Sequence, residues 1–156
     1  MLKPGTNEWL NQVHEEIFQP EQPIIDTHHH LWDKPSPMWG RYVLSDLWAD
    51  TGSGHNVVKT VFVECGQGYF ESGSEAMQPV GETKFVQEVS EQAKANKSKA
   101  QIEGIVGHVD MMLGSSAKEI LEAHIEVGKR KFKGIRHGAS WDESKEIRNS
   151  HSDPIR

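Results

Sequence analysis

Residues 57–65, Val-Val-Lys-Thr-Val-Phe-Val-Glu-Cys, run almost unbroken through β-branched and aromatic side chains. A segment of this kind has little polar face to offer water. It fits a strand buried on both sides, the usual condition in parallel sheets. Parallel neighbours need long crossovers, and amphipathic helices supply them. The downstream sequence reads that way. A helix is predicted from about Glu82 to Ala95, with Phe85, Val86, Val89 and Ala93 on its buried stripe. A third strand covers Ile102 to Val109. Ser116-Ala117-Lys118-Glu119 has capping-box form and opens a helix carrying Ile120, Leu121, His124 and Ile125, with Gly128 as its stop. Phe132 to Gly138 makes a fourth strand.

Upstream, Thr6 can cap a helix running to about Phe18, with Trp9, Leu10, Val13 and Ile17 at helical spacing, ended by Pro20 and Pro23. The first strand, Ile24 to His30, follows. Its continuation is a loop over Lys34 to Gly40 and a brief helix around Ser45 to Ala49. Strands alternating with helices give an α/β fold. Four such units are about half of a (β/α)8 TIM barrel, which takes ~250 residues. The expected division is an N-terminal helix and linker over 1–22, the N-terminal half of a barrel over 23–142, and a loose polar tail over 143–156.

Composition narrows the function classes. With a net charge of −6 over 156 residues, a nucleic-acid partner is not expected, because phosphate backbones are held by clustered Lys and Arg. The one dense basic run, Lys129-Arg130-Lys131-Phe132-Lys133, follows a predicted helix end, where cations complement the carbonyls. A lone cysteine, Cys65, excludes an internal disulfide framework and fits a reducing compartment. No apolar run approaches the ~20 residues that span a bilayer. The expected location is cytoplasmic, with no membrane partner.

In parallel α/β folds, functional side chains gather at the C-terminal ends of strands. Here the first strand ends at His28-His29-His30, the second at Glu64, the third at His108 and Asp110, and the fourth at Arg136 and His137. Alternation puts His28 and His30 on one face with Asp26, and His29 on the other. Two converging imidazoles suit a divalent transition ion, so His28 and His30 are the candidate metal ligands. The alternative is a hydrogen-bonded pair without metal. Glu64, at the end of an apolar strand, could ligate metal, act as a base or orient a histidine; equally, it could be an ion-pair partner of Arg136. Arg136, between Gly134 and Gly138, offers a planar fork for a substrate carboxylate, against the alternative of pairing with Glu64 or Asp110. His108 reads as a satisfied core histidine, with a bond to the first-strand histidines as the rival. Trp32, Trp39 and Trp48 could wall the site or pack in the core. Cys65 has no base beside it and is not expected to be a nucleophile.

With these residues in hand, the chain resembles the amidohydrolase-related metal-dependent hydrolases, in their lactonase-like branch. The matching pieces are Ile25-Asp26-Thr27-His28-His29-His30-Leu31-Trp32-Asp33, Val61-Phe62-Val63-Glu64-Cys65 and Lys133-Gly134-Ile135-Arg136-His137. The resemblance implies a distorted barrel with one divalent ion, commonly Zn²⁺, at the C-terminal face, held in part by His28 and His30. Further ligands, a middle-strand histidine and a late-strand aspartate, would come from beyond the fourth strand. Some lactonase-like relatives work without a tightly bound metal, so the resemblance leaves metal dependence open. It implies attack of water on a small-molecule lactone or similar carbonyl, with Arg136 holding an acidic group of the substrate; Glu64 is the catalytic candidate from its place at the end of the second strand.

Two functional expectations therefore stand side by side. One is a metal-dependent hydrolase represented by its N-terminal half. The other is a catalytically inactive truncated product, or a half-barrel that binds a partner or a metal. A half-barrel would expose two sheet edges and an apolar face, which favours homo-oligomers.

Overall fold

The computed structural model describes Leu2, residues 6–35 and residues 40–150. Trp39, half of the predicted loop before the second helix, and the chain beyond Ser150 lie outside those residues. The fold is α/β, a four-stranded parallel sheet flanked by helices. Its elements are α1 (Asn7–Leu10), β1 (Ile24–His29), α2 (Leu44–Thr51), β2 (Val57–Val63), α3 (Val80–Ala93), β3 (Gln101–Gly107), α4 (Ala117–Gly128) and β4 (Phe132–Ile135). The sheet order is β1-β2-β3-β4, so each new strand adds beside the last.

The N-terminal segment departs from expectation. The helix predicted from Thr6 to Phe18 is the single turn α1, although Thr6 Oγ1 does accept from Trp9 N at 3.3 Å. Trp9, Leu10, Val13 and Phe18 stay exposed. Of the stripe, Ile17 alone is half-buried, packed on Gly54, which is too little burial to propagate a short helix. The predicted capping box at Ser116 is also absent: Ser116 is already in helical conformation and its side chain makes no cap bond. Asp110 performs a related task earlier, accepting from Met112 N at 2.8 Å ahead of a short 3-10 segment.

The core lies between the sheet and its helices. Leu31, Leu47, Phe62, Val86, Ile102 and Ile105 form one buried cluster, against which Phe85 and Val89 pack from α3. Val80, Val109, Ala117 and Ile120 form a second, under α4 and β4. The predicted α3 stripe holds in part: Val86 and Ala93 are buried, Phe85 and Val89 are half-buried, and Thr83, Gln87 and Ser90 share the buried face. On α4 the stripe is turned, because Ile120 and His124 are buried while Ile125 is exposed. The basic run is structural at one position: Lys131 Nζ donates to the Ile102 carbonyl and lies 3.5 Å from Glu103.

Register explains how the strand ends line up. Asp26 pairs with Thr60 and His29 with Phe62, so β1 carries one extra residue between Asp26 and His29, over Thr27 and His28. The Asp26 carboxylate accepts from His28 N at 3.0 Å, closing this bulge locally. Among the described residues, β1 and β4 each pair on one side only. No helix among these residues is long and apolar enough to cross a membrane.

Candidate functional site

All four strands run parallel, so their C-terminal ends share one rim. At the end of β1, His28 Nε2 and His30 Nε2 are 3.2 Å apart, with ring planes at 86°. His30 Nδ1 lies 2.8 Å from the Val63 carbonyl, which accepts but cannot donate. That contact puts the His30 proton on Nδ1 and leaves the Nε2 lone pair directed at His28. Burial lowers the His30 pKa, in keeping with a neutral ring. His29 points the other way, as alternation predicts: its Nε2 sits 3.1 Å from Thr60 Oγ1, and burial brings its pKa down to about 4.

Glu64 and Arg136 meet across β3. Arg136 Nε donates to Glu64 Oε1 at 2.7 Å, and Nη2 donates to the Glu64 carbonyl at 2.8 Å. The backbone aligns them: Glu64 N donates to Val106 O at 2.9 Å and Arg136 N to Gly107 O at 2.8 Å, extending the sheet by a residue at each strand. Of the alternatives open for these two residues, the ion pair is the one formed. Three of the five guanidinium N–H groups lie outside the two bonds to Glu64.

His108 does not reach the first-strand histidines. Its Nδ1 is 3.1 Å from the Arg136 carbonyl, and its ring stacks on His137 with centroids 5.7 Å apart. Met111 N donates to His137 Nδ1 at 3.4 Å. Glu64, Tyr69, His108, Asp110 and His137 line a cleft of about 340 Å³. His28, His29 and His30 all line a separate cleft of about 430 Å³ with Trp32, Tyr42 and Asp50, beside the open edge of β1. The two clefts are electrostatic neighbours, since the charges of Arg136 and Glu64 both act on His30. Trp32 stands by the histidines, its ring centroid 5.3 Å from that of His30. Trp48 does not; it donates to the Ala100 carbonyl at the opposite end of the sheet.

A residue that the sequence left among helix surface positions belongs to this rim. Glu82 is fully buried in the first turn of α3, and its Oε1 accepts from Cys65 N at 3.0 Å and Gln67 N at 2.7 Å. Burial raises its pKa to about 7. Pro79, a first-turn signal, would have started the helix early enough to aim Glu82 back at the turn after β2. His124 was missed likewise: buried, it bonds Thr83 Oγ1 at 2.8 Å and the His108 carbonyl at 3.0 Å. Burial and the nearby Glu82 charge push the Cys65 thiol up to about 12, which removes it as a nucleophile near neutral pH.

The 3.2 Å contact between His28 and His30 is a direct hydrogen bond between the rings, the metal-free alternative, and its length alone is also compatible with a shared ion. Two nitrogens each ~2.0–2.1 Å from a tetrahedral Zn²⁺ would stand about 3.3 Å apart, close to the 3.2 Å found here. Among the described residues, no group of three or more His, Cys, Asp or Glu side chains could hold a metal, so the pair is a two-ligand arrangement. Comparison with family models, with curated proteins and with solved structures gave no match to this chain.

Proposed function

We propose that the chain is the N-terminal half of an amidohydrolase-related, TIM-barrel hydrolase, acting on a carboxylated lactone or similar small carbonyl compound. The observation that carries the reading is the convergence of His28 and His30 nitrogens at 3.2 Å, with the His30 tautomer set by the Val63 carbonyl. A Zn²⁺ ion held there would polarise the substrate carbonyl. The remaining work falls to the chain's own side chains. Glu64 lines the adjoining cleft at the end of β2, so the substrate would bridge the two clefts; its carboxylate would take the proton from the attacking water and return it to the leaving alkoxide of the opened ring. Arg136 keeps that carboxylate oriented and uses its other N–H groups on the acidic group of the substrate. Trp32 and Tyr42, edge-to-face at 6.4 Å, stand beside His30 on the other flank, where His28 is exposed.

A panel of lactones with and without a carboxylate, assayed with and without Zn²⁺, tests this reading. The expected result is zinc-stimulated opening that favours the carboxylated members and falls at least about a hundredfold in Glu64→Gln. Equal rates for Glu64→Gln and the parent chain would overturn it.

A second reading, a half-barrel that binds a metal or a partner without catalysis, is favoured by one observation: only two nitrogens converge among the described residues. Stoichiometric zinc binding without any lactone turnover would select it.

A further inference from the structure

We propose that Glu82 is the positioning residue of this rim: its buried carboxyl fixes the turn after β2 and so sets where Glu64 and Arg136 stand. The inference goes beyond the hydrolase reading, because it applies equally to a rim that only binds.

Cys65 and Gln67 flank Gly66, whose φ of +84° lies in the region that glycine enters without strain. That conformation aims two successive odd-numbered amides inward, and one oxygen of Glu82 accepts both. The same turn holds the chain leaving the histidines: Gln67 Oε1 accepts from Lys34 N at 3.2 Å, and Cys65 Sγ donates to Leu31 O at 3.5 Å. Glu64 precedes the turn directly and offers Arg136 both its carbonyl and its carboxylate. Glu82 therefore anchors a short segment that touches the exits of β1 and β2 and, through Glu64, the exit of β4.

Its second oxygen, Oε2, is buried with no hydrogen-bond partner among the described residues, a setting that disfavours the charged carboxylate. Glu64 and Cys65 at the end of β2 and Tyr69 beyond the turn are the ionisable groups that interact with it. A glutamine reproduces the neutral form, with its carbonyl in the place of Oε1. An alanine removes the anchor.

Nuclear magnetic resonance on the full chain tests this. In Glu82→Gln, the Cys65 and Gln67 amides should keep their slow hydrogen exchange, and the Arg136 Nε resonance should stay at its parent position. In Glu82→Ala, both amides should exchange about tenfold faster or more, and the Arg136 Nε resonance should move. Faster amides with an unmoved Arg136 Nε would reduce Glu82 to a loop anchor and overturn the proposal. If Glu82→Ala does not fold, a titration of the parent chain decides. The Cys65, Gln67 and Arg136 Nε resonances should share a midpoint with the Glu82 carboxyl carbon, and that midpoint should vanish in Glu82→Gln. An Arg136 that follows only Glu64 and the neighbouring histidines would overturn the proposal.

Discussion

Arg136 Nε lies 2.7 Å from Glu64 Oε1, joining residues 72 apart in sequence and two strands apart in the sheet. The same guanidinium also donates to the Glu64 carbonyl, so it holds both the side chain and the backbone at the end of β2. A fork can do this, whereas an ammonium offers one point of charge.

Replacement of Arg136 should therefore separate stability from recognition. The pair is partly open to solvent, with Arg136 at 44% and Glu64 at 18% side-chain exposure, so Arg136→Ala should cost about 1 kcal/mol or less. Binding of a carboxylated substrate should weaken about tenfold, a loss of ~1.4 kcal/mol. Arg136→Lys should restore the stability and little of the binding. Urea titration and ligand titration read the two effects separately.

The turn after β2 packs against the start of α3 through a backbone contact. A Cβ added at Gly81 would lie 2.5 Å from the Gly68 carbonyl oxygen and 2.6 Å from Phe70 N. Neither atom can swing aside as a side chain would. Gly81→Ala should destabilise by about 1–3 kcal/mol. Gly134→Ala, where nothing lies within 4 Å, should stay within about 0.5 kcal/mol. Equal urea midpoints for the two variants would contradict this packing.

Two buried groups oppose one another in their response to pH. The folded-state pKa of Glu82 is raised from 4.5 to about 7, so its contribution is full below 4.5 and fades as pH climbs through 7. His29 is lowered from 6.5 to about 4, so its contribution is full above 6.5 and fades as pH falls towards 4. Each amounts to about 3 kcal/mol, with opposite sign over nearly the same window. In the parent chain Glu82 offsets His29 between pH 7 and 4.5, leaving a milder loss on acidification set by His30 and His124. Glu82→Gln removes the rising member and should lose stability steeply on acidification, the more so because burial also lowers the pKa values of His30 and His124. Denaturant midpoints at a series of pH values test this; parallel profiles for the two proteins would contradict it.

The parts of the fold legible in the sequence were those set by local pattern. The run from Val57 announced a strand, and the spacing of Val86 and Ala93 announced the buried face of α3. Alternation separated His28 and His30 from His29 because a two-residue period needs no partner strand. Where a partner decides, the sequence was silent. The extra residue before His29 exists only relative to β2. Glu82 and His124 looked like ordinary helix residues because what buries them arrives from elsewhere in the chain: the turn at Cys65–Gln67 for one, Thr83 and the His108 carbonyl for the other. The Trp9 to Ile17 stripe failed for the opposite reason: its pattern was helical, yet Trp9, Leu10 and Val13 remain exposed.

The measurement that bears most directly on the account is a Co²⁺ or Zn²⁺ titration of the full chain beside His28→Ala and His30→Ala. One ion per chain is predicted, with affinity falling at least about tenfold in each variant. The His30 Nδ1 proton should remain in its bond to the Val63 carbonyl in the loaded parent protein. Absence of binding, or binding unchanged in both variants, would contradict the metal site and with it the proposed chemistry.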